Sequence, residues 1–335
     1  MQVSDQGEVQ AFLAAAMASK GAVEEIVTHI SHLFIGPAVA WKLKRAVHLP
    51  YADFSTPEKR LAFCEREVTL NRRTAPDHYL GLRRITRQAD GLAFDGTGPL
   101  VDAVVEMRRF DQDMLLDRLA TRGALTAPLM EQLAFTISRL HDACPPDRRP
   151  GFGRVAEVLA VNEAALAQTR VFGQDEIAAF NAAFRTAAGT HRRLLDARGL
   201  AGRVRRAHGD LHLRNIFLED GAPVLFDCIE FNEPFRLIDV ASDAAFLAMD
   251  LEDRGLKCQA RRFINGWLEH TGDYAALALL NLYKAYRALV RAKVSLFRLY
   301  QEQDAVQRKV IVRQYRSYAN LAESYSAIPS RFLAI

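Results

Sequence analysis

Ala207-His208-Gly209-Asp210-Leu211-His212-Leu213-Arg214-Asn215-Ile216 is the stretch whose reading decides the fold. It places a carboxylate, Asp210, five residues ahead of a side-chain amide, Asn215, and runs on into the apolar Ile216-Phe217-Leu218. Eleven residues past Asn215 begins Phe226-Asp227-Cys228, at the end of a second apolar run, Val224-Leu225-Phe226. The turn pair Asp220-Gly221 lies between the two runs, which gives strand, turn, strand. Phosphoryl transfer asks for this set: one carboxylate to accept a hydroxyl proton, one amide and one further carboxylate to hold Mg²⁺ on phosphates. Asp and Asn are common in loops, so any one of the three says little. Their joint spacing carries the reading.

Bulk properties narrow the classes. A chain of 335 residues fits one large or two modest domains. Half of it is apolar and a quarter charged, as in ordinary globular proteins. The net charge of +4, from 44 Lys and Arg against 40 Asp and Glu, is too mild to argue for a nucleic-acid partner. Cys64, Cys144, Cys228 and Cys258 are far apart and form no CxxC pair, so free thiols in a reducing cytoplasm are expected, with no zinc site and no disulfide frame. Residues 11–18 imitate a signal-peptide core, but Asp5 and Glu8 precede them and no Lys or Arg does; an amphipathic helix is expected instead. No apolar run approaches the roughly 20 residues a bilayer needs, so a cytoplasmic protein without a membrane partner is expected.

Residues 26–45 read as short strands broken by Gly36-Pro37, and the alternation in Val39-Ala40-Trp41-Lys42-Leu43-Lys44 projects Lys42 and Lys44 from one strand face. Ser55-Thr56-Pro57-Glu58 starts a helix, with Glu65 and Glu67 along it. Asp111 and Asp113 are expected to lead a helix over 114–121. Leu129, Leu133, Ile137 and Leu140 form a core-facing stripe that ends at a structural His141. Residues 144–153 are a loop by composition, expected to be a mobile insertion beside a substrate cleft, and 155–197 are Ala-rich helix without a chemical signature. Glu230, Glu233, Asp243, Asp250, Glu252 and Asp253 either face a cationic substrate or lie solvated. A helix over 277–300 sets Lys284, Arg287 and Arg291 on one side, facing an anionic substrate group or solvent. Residues 301–335 are amphipathic and basic and could pack on the C-lobe or on a partner.

HGDLHLRNI followed by LFDCIEF resembles the catalytic and metal-binding segments of aminoglycoside phosphotransferase-like kinases, and most closely a bacterial branch with largely unestablished substrates. The likeness runs from about 28 to about 297. It implies an α+β, protein-kinase-like two-lobed fold. Residues 1–106 would form a small antiparallel β N-lobe with a leading helix and one further helix, and 107–335 a larger, mainly helical C-lobe. It also implies an ATP·Mg²⁺-dependent phosphotransferase acting on a small-molecule hydroxyl, with Asp210 catalytic and Asn215 and Asp227 on the metal. Val39-Ala40-Trp41-Lys42 resembles the VAIK pattern and favours Lys42 as the phosphate-pairing lysine; matching the strand end favours Lys44. Arg66-Glu67-Val68 matches the family helix and favours Glu67 as its partner. Glu106 and Met107 fall at the inter-lobe hinge, where main-chain groups meet adenine. Asp239 falls where the family braces its catalytic loop; His208 is expected to brace that loop through hydrogen bonds, and His212 is either structural or in touch with substrate. Neither GxGxxG nor GxxxxGK[ST] occurs, so a P-loop ATPase, which relatives of this branch often carry as a second domain, would be a partner outside this chain. The other reading is a nucleotide-binding pseudokinase or scaffold without turnover. A protein kinase is disfavoured by the missing Arg-Asp of HRD and the missing APE-like segment.

Overall fold

A computed structural model describes residues 5–167, 182 and 184–327. Two compact units emerge. One holds the described residues up to Met114 together with Val224–Asn232; the other holds Leu115–Pro223 and everything described from Glu233 on. A single cut at 106/107 has no place for the return of 224–232. That segment goes back because Val224 and Phe226 pack against Cys64, Val68 and Tyr79, and Phe231 against Phe54.

The first unit is built on a six-stranded antiparallel sheet. Its strands are β1 (Glu24–Val27), β2 (Ser31–Ile35), β3 (Val39–Lys44), β6 (Tyr79–Gln88), β7 (Gly91–Phe94) and β8 (Leu100–Arg108), in the order β1-β2-β3-β8-β6-β7. The short β4 (His48–Leu49) and β5 (Ala52–Asp53) pair beside it. Helix α1 (Gly7–Ala18) covers one face: Val9, Leu13 and Met17 pack on Phe34, Trp41, Leu43, Ile85 and Val104. Helix α2 (Pro57–Asn71) covers the other, with Cys64 and Val68 on Tyr79, Ala103 and Val105. Strand alternation therefore sends Trp41 and Leu43 towards α1 and Lys42 and Lys44 towards α2. Gln6 pins the start of α1: its amide nitrogen donates to the Lys44 carbonyl (3.0 Å) and to Asp102 (2.8 Å), and its oxygen accepts from the Ala46 N–H (2.7 Å). Thr56 caps α2 by accepting from the Lys59 N–H, and Pro57 follows in the first turn.

The second unit is mainly helical. α3 (Leu116–Thr121) is shorter than the expected 114–121 helix. Leu115 is extended and bridges Phe217, so the chain over Gln112–Met114 forms only a separate 3₁₀ turn. α4 (Ala127–Ala143) buries Leu129, Leu133, Ile137 and Leu140, the stripe its periodicity predicts. The 144–151 connection is tied down: Asp147 donates its N–H to the Val204 carbonyl (2.8 Å), and Pro146 bridges Arg205. A Cβ on Gly151 would come within 2.4 Å of the Leu195 carbonyl, so only glycine fits there. The helix Val240–Asp253 is buried along nearly its whole length and is the axis of the unit. Phe246 and Met249 on it pack with Ala285 and Ala288 of the helix Leu277–Gln301 and Tyr318 and Tyr325 of the helix Ala305–Ala327. Residues 168–181 and 183 of the expected Ala-rich helices, and 328–335 of the expected basic tail, lie outside the described residues. Among the described residues no helix is long and apolar enough to cross a membrane.

Candidate active site

Each unit presents one group of the residues singled out above. In the first, the alternation of β3 puts both lysines against α2, where Glu67 is fully buried and receives them together: Lys42 at 2.8 Å and Lys44 at 2.6 Å. Glu65 is exposed. The returning segment adds Asp227, 2.5 Å from the Lys42 ammonium, and Glu230, which Lys44 also contacts. Asp227 adopts φ 60°, a left-handed conformation that Asp tolerates better than most residues. Its N–H donates to the Tyr79 hydroxyl (3.2 Å), and the next N–H, of Cys228, donates to Asn71 Oδ1 (2.8 Å). The Arg66 guanidinium donates to the Glu230 carbonyl (3.2 Å) and completes the anchoring.

Two ammonium groups thus face three carboxylates, of which Glu67 and Glu230 are buried and Asp227 is partly open to solvent. Burial would raise the Glu67 carboxyl, but Lys42 and Lys44 outweigh it and hold the group down at about 2. Burial also dominates at Glu230, and the charge of Glu67 adds to it against the pull of Lys44, so this carboxyl sits above its ordinary value. Of these two carboxylates, Glu230 is the one whose charge the cluster disfavours. For Lys42, desolvation is outweighed by Asp227 and Glu67, and the ammonium stays charged well beyond the usual lysine range. The lysines differ in access: the side chain of Lys44 is 1% exposed and that of Lys42 11%. Glu106 and Met107 lie on β8, paired to β3 at Trp41 and Ala40, and Glu106 accepts from the Trp41 indole N–H (3.0 Å).

In the second unit the 208–215 loop is held from beneath. Asp243 accepts the backbone N–H groups of His208 (2.8 Å) and Gly209 (3.0 Å), and Asp250, two turns further along the same helix, accepts that of Leu213 (3.0 Å). The Arg287 guanidinium donates to the Gly209 carbonyl (2.8 Å) and to the Ser242 hydroxyl (3.2 Å). Gly209 needs its φ of 87° to expose these groups, a conformation that costs other residues about 1–2 kcal/mol. The expected brace, Asp239, is elsewhere engaged: it caps the helix at Ala241 and binds Arg198 (2.6 and 2.8 Å) and Tyr283 (3.1 Å). Asp239 stands at the N-cap, one turn ahead of Asp243, with its carboxylate taken by Ala241, Arg198 and Tyr283, so bracing falls to Asp243 and Asp250 further along.

On this platform the half-buried Asp210 is met by Asn215, whose Nδ2 donates to its carbonyl (2.9 Å) and carboxylate (3.1 Å). That leaves Asn215 Oδ1 as the amide's acceptor. His212 Nε2 lies 3.3 Å from the Asp210 carboxylate, and Arg291 reaches the same nitrogen at 3.4 Å. Burial pushes the Asp210 carboxyl up, but His212, Arg291 and His208 outweigh it and keep the group below the ordinary carboxylate range. His208 Nδ1 accepts the Asp210 N–H (3.3 Å), and His141 accepts from the Trp267 indole (3.1 Å). Both are held as structural histidines would be.

Of the acids and bases left open by the sequence, Glu230, Asp243, Asp250, Lys284 and Arg287 are buried, and the others pair within the protein nearer its surface. Glu233 pairs with Arg206 and Arg236, Glu252 with Lys284 and Tyr325, and Asp253 with Ser317. Glu233 keeps its pairs at the surface, its side chain 45% exposed, as a solvated acid would.

A family model described as the phosphotransferase enzyme family matches residues 108–280, more than half of the chain. The chain belongs to that family. Uncharacterized proteins of Mycobacterium bovis and Mycobacterium tuberculosis are 32% identical over 305 residues, covering 88% of this chain and 60% of theirs. The chain thus spans about 60% of the length of these curated relatives. A choline/ethanolamine kinase family protein from Mesorhizobium loti superposes with a TM-score of 0.53 at 14% identity, covering 96% of this chain and 95% of its own. A thermostable mutant of aminoglycoside phosphotransferase APH(4)-Ia gives 0.57 at 12%, covering 94% and 97%. At such identities the likeness is one of fold, and the fold is the protein-kinase-like α+β one.

Proposed function

We propose that the protein transfers the γ-phosphoryl group of ATP, carried with Mg²⁺, to a hydroxyl of a small molecule. The observation that carries this reading is the buried Lys42–Glu67 pair touching Asp227. A lysine so held keeps its charge and its direction for a phosphate. Lys42 takes that role, because Lys44 is enclosed between Glu67 and Glu230 and serves to brace them.

Among the described residues no group of three or more His, Cys, Asp or Glu is arranged to hold a metal. Mg²⁺ on a nucleotide does not need one, since one or two protein oxygens suffice beside phosphates and water. The Asp227 carboxylate and Asn215 Oδ1 are hard oxygen donors of that kind. Bound there, the ion would neutralise charge on the phosphates. Asp210, ionised at neutral pH, orients the acceptor hydroxyl and takes its proton. The acceptor oxygen forms the new P–O bond, the β–γ bridging P–O bond breaks, and ADP leaves with that electron pair. Main-chain groups at Glu106 and Met107 are assigned to the adenine ring.

The test is Asp210→Asn. Turnover should fall by roughly 10²- to 10⁴-fold while ADP binding, measured by calorimetry, is retained. Undiminished turnover would remove Asp210 from the mechanism. Nucleotide binding by the wild type without ADP release, whatever hydroxyl compound is offered, would leave a nucleotide-binding protein without turnover.

A further inference from the structure

Apolar packing of Val224 and Phe226 draws the 224–232 segment into the first unit, but it leaves the backbone of Asp227 unspecified. That backbone has φ 60°, a left-handed conformation that Asp tolerates without preferring it, and that persists only where the surroundings impose it. Two hydrogen bonds impose it. Tyr79 Oη accepts the Asp227 N–H (3.2 Å), and Asn71 Oδ1 accepts the Cys228 N–H (2.8 Å). These N–H groups belong to the two rigid peptide planes that flank the Asp227 Cα. One bond on each plane sets both dihedrals of Asp227, and with them the direction in which its side chain leaves.

Both acceptors are themselves fixed. Asn71 is fully buried, ends α2, and donates its Nδ2 to the Glu67 carbonyl one turn earlier (2.9 Å). Its amide thereby links the helix that presents Glu67 to the peptide that follows Asp227. Tyr79 is buried in one cluster with Val68 and Val105, against which Phe226 packs. The Asp227 carboxylate takes no part in either bond: its side chain is 38% exposed and meets Lys42 at 2.5 Å.

We infer that Asn71 and Tyr79 are positioning residues for Mg²⁺: acting through Asp227, they aim its carboxylate before a nucleotide arrives. This rests on the proposed phosphotransfer, in which Asp227 is a metal ligand. Side chains that orient a metal ligand from behind govern metal affinity by roughly 10- to 100-fold. Packing alone would leave Asp227 able to relax out of its left-handed conformation, and the carboxylate would turn with it.

The experiment uses Mn²⁺ as the probe and reads its affinity for the protein–ADP complex by electron paramagnetic resonance, with ADP affinity in EDTA measured by calorimetry. Asn71→Ala should weaken Mn²⁺ by roughly 10- to 100-fold, and Tyr79→Phe by roughly tenfold, while ADP binding in EDTA holds. Amide hydrogen exchange in 224–232 of the free protein should quicken in both variants. Leu13→Ala, on the far face of the sheet, is the control for a merely structural effect: it should lower the melting temperature and leave Mn²⁺ affinity unmoved. Should Asn71→Ala fail to fold, Tyr79→Phe, which keeps the ring and its packing, decides. The inference is overturned if Asp227→Ala weakens Mn²⁺ but the Asn71 and Tyr79 variants do not, or if Leu13→Ala weakens it equally. Unchanged Mn²⁺ affinity in Asp227→Ala would instead strike the metal assignment of the phosphotransfer reading, and this inference with it.

Discussion

Lys42 and Lys44 share a strand face and a partner but differ in what else surrounds them, and the proposed mechanism gives them different work. Lys44→Met would leave Glu67 and Glu230 facing each other without their shared cation, a buried imbalance worth about 3–5 kcal/mol. Urea unfolding should show that loss. Lys42→Met should instead cut turnover by roughly 10²-fold or more with a smaller change in stability; a reversed pattern would exchange the two roles. Acid titration reads the same cluster. Glu67 has a carboxyl depressed from 4.5 to about 2, so its contribution of about 3 kcal/mol is complete above pH 4.5 and fades as pH falls towards 2. Glu230, raised above 4.5, works in the opposite sense, favouring the folded state more below 4.5 than at neutral pH. Glu67→Gln should remove the acid-labile part of the unfolding free energy measured between pH 5 and 3.

At the scale of the element, the helix Val240–Asp253 fixes the 208–215 loop through two carboxylates. Asp243→Ala would orphan the buried N–H groups of His208 and Gly209, at about 1–3 kcal/mol for each. Both stability and kcat should drop together, checked by thermal unfolding and steady-state assays, with KM for ATP little changed. Much of this region was readable from the residues. HGD with Asn five positions on, the periodic stripe of α4 and the Thr56-Pro57 helix start all describe local geometry, and local geometry is what spacing encodes. The brace was misplaced at Asp239 because a chain position does not tell which carboxylate reaches which amide. A signal was nonetheless present: Asp243 and Asp250 stand seven apart in a stretch, Val240 to Leu251, that is apolar but for Ser242, where acids persist only if bonded. The burial of Lys284 and Arg287 was hidden because amphipathic spacing describes a stripe and not what covers it.

For the whole molecule, ligand binding should register as stability. Mg²⁺-ATP at a hundredfold excess over its Kd should add about 2.7 kcal/mol, seen as a higher melting temperature, and EDTA should abolish most of that gain. An equal shift with and without the metal would count against Asn215 and Asp227 as its ligands. The unfolding trace need not be a single step, because a chain of two units can lose them separately. The return of 224–232 to the first unit also constrains how that unit comes into being. On the ribosome, Lys42, Lys44 and Glu67 are made early, but Asp227 and Glu230 emerge more than a hundred residues after the β-sheet is finished. At ordinary elongation rates that is a delay on the order of ten seconds. During it the two ammonium groups have one carboxylate between them, so the nascent sheet waits, incompletely neutralised, for a peptide not yet synthesised.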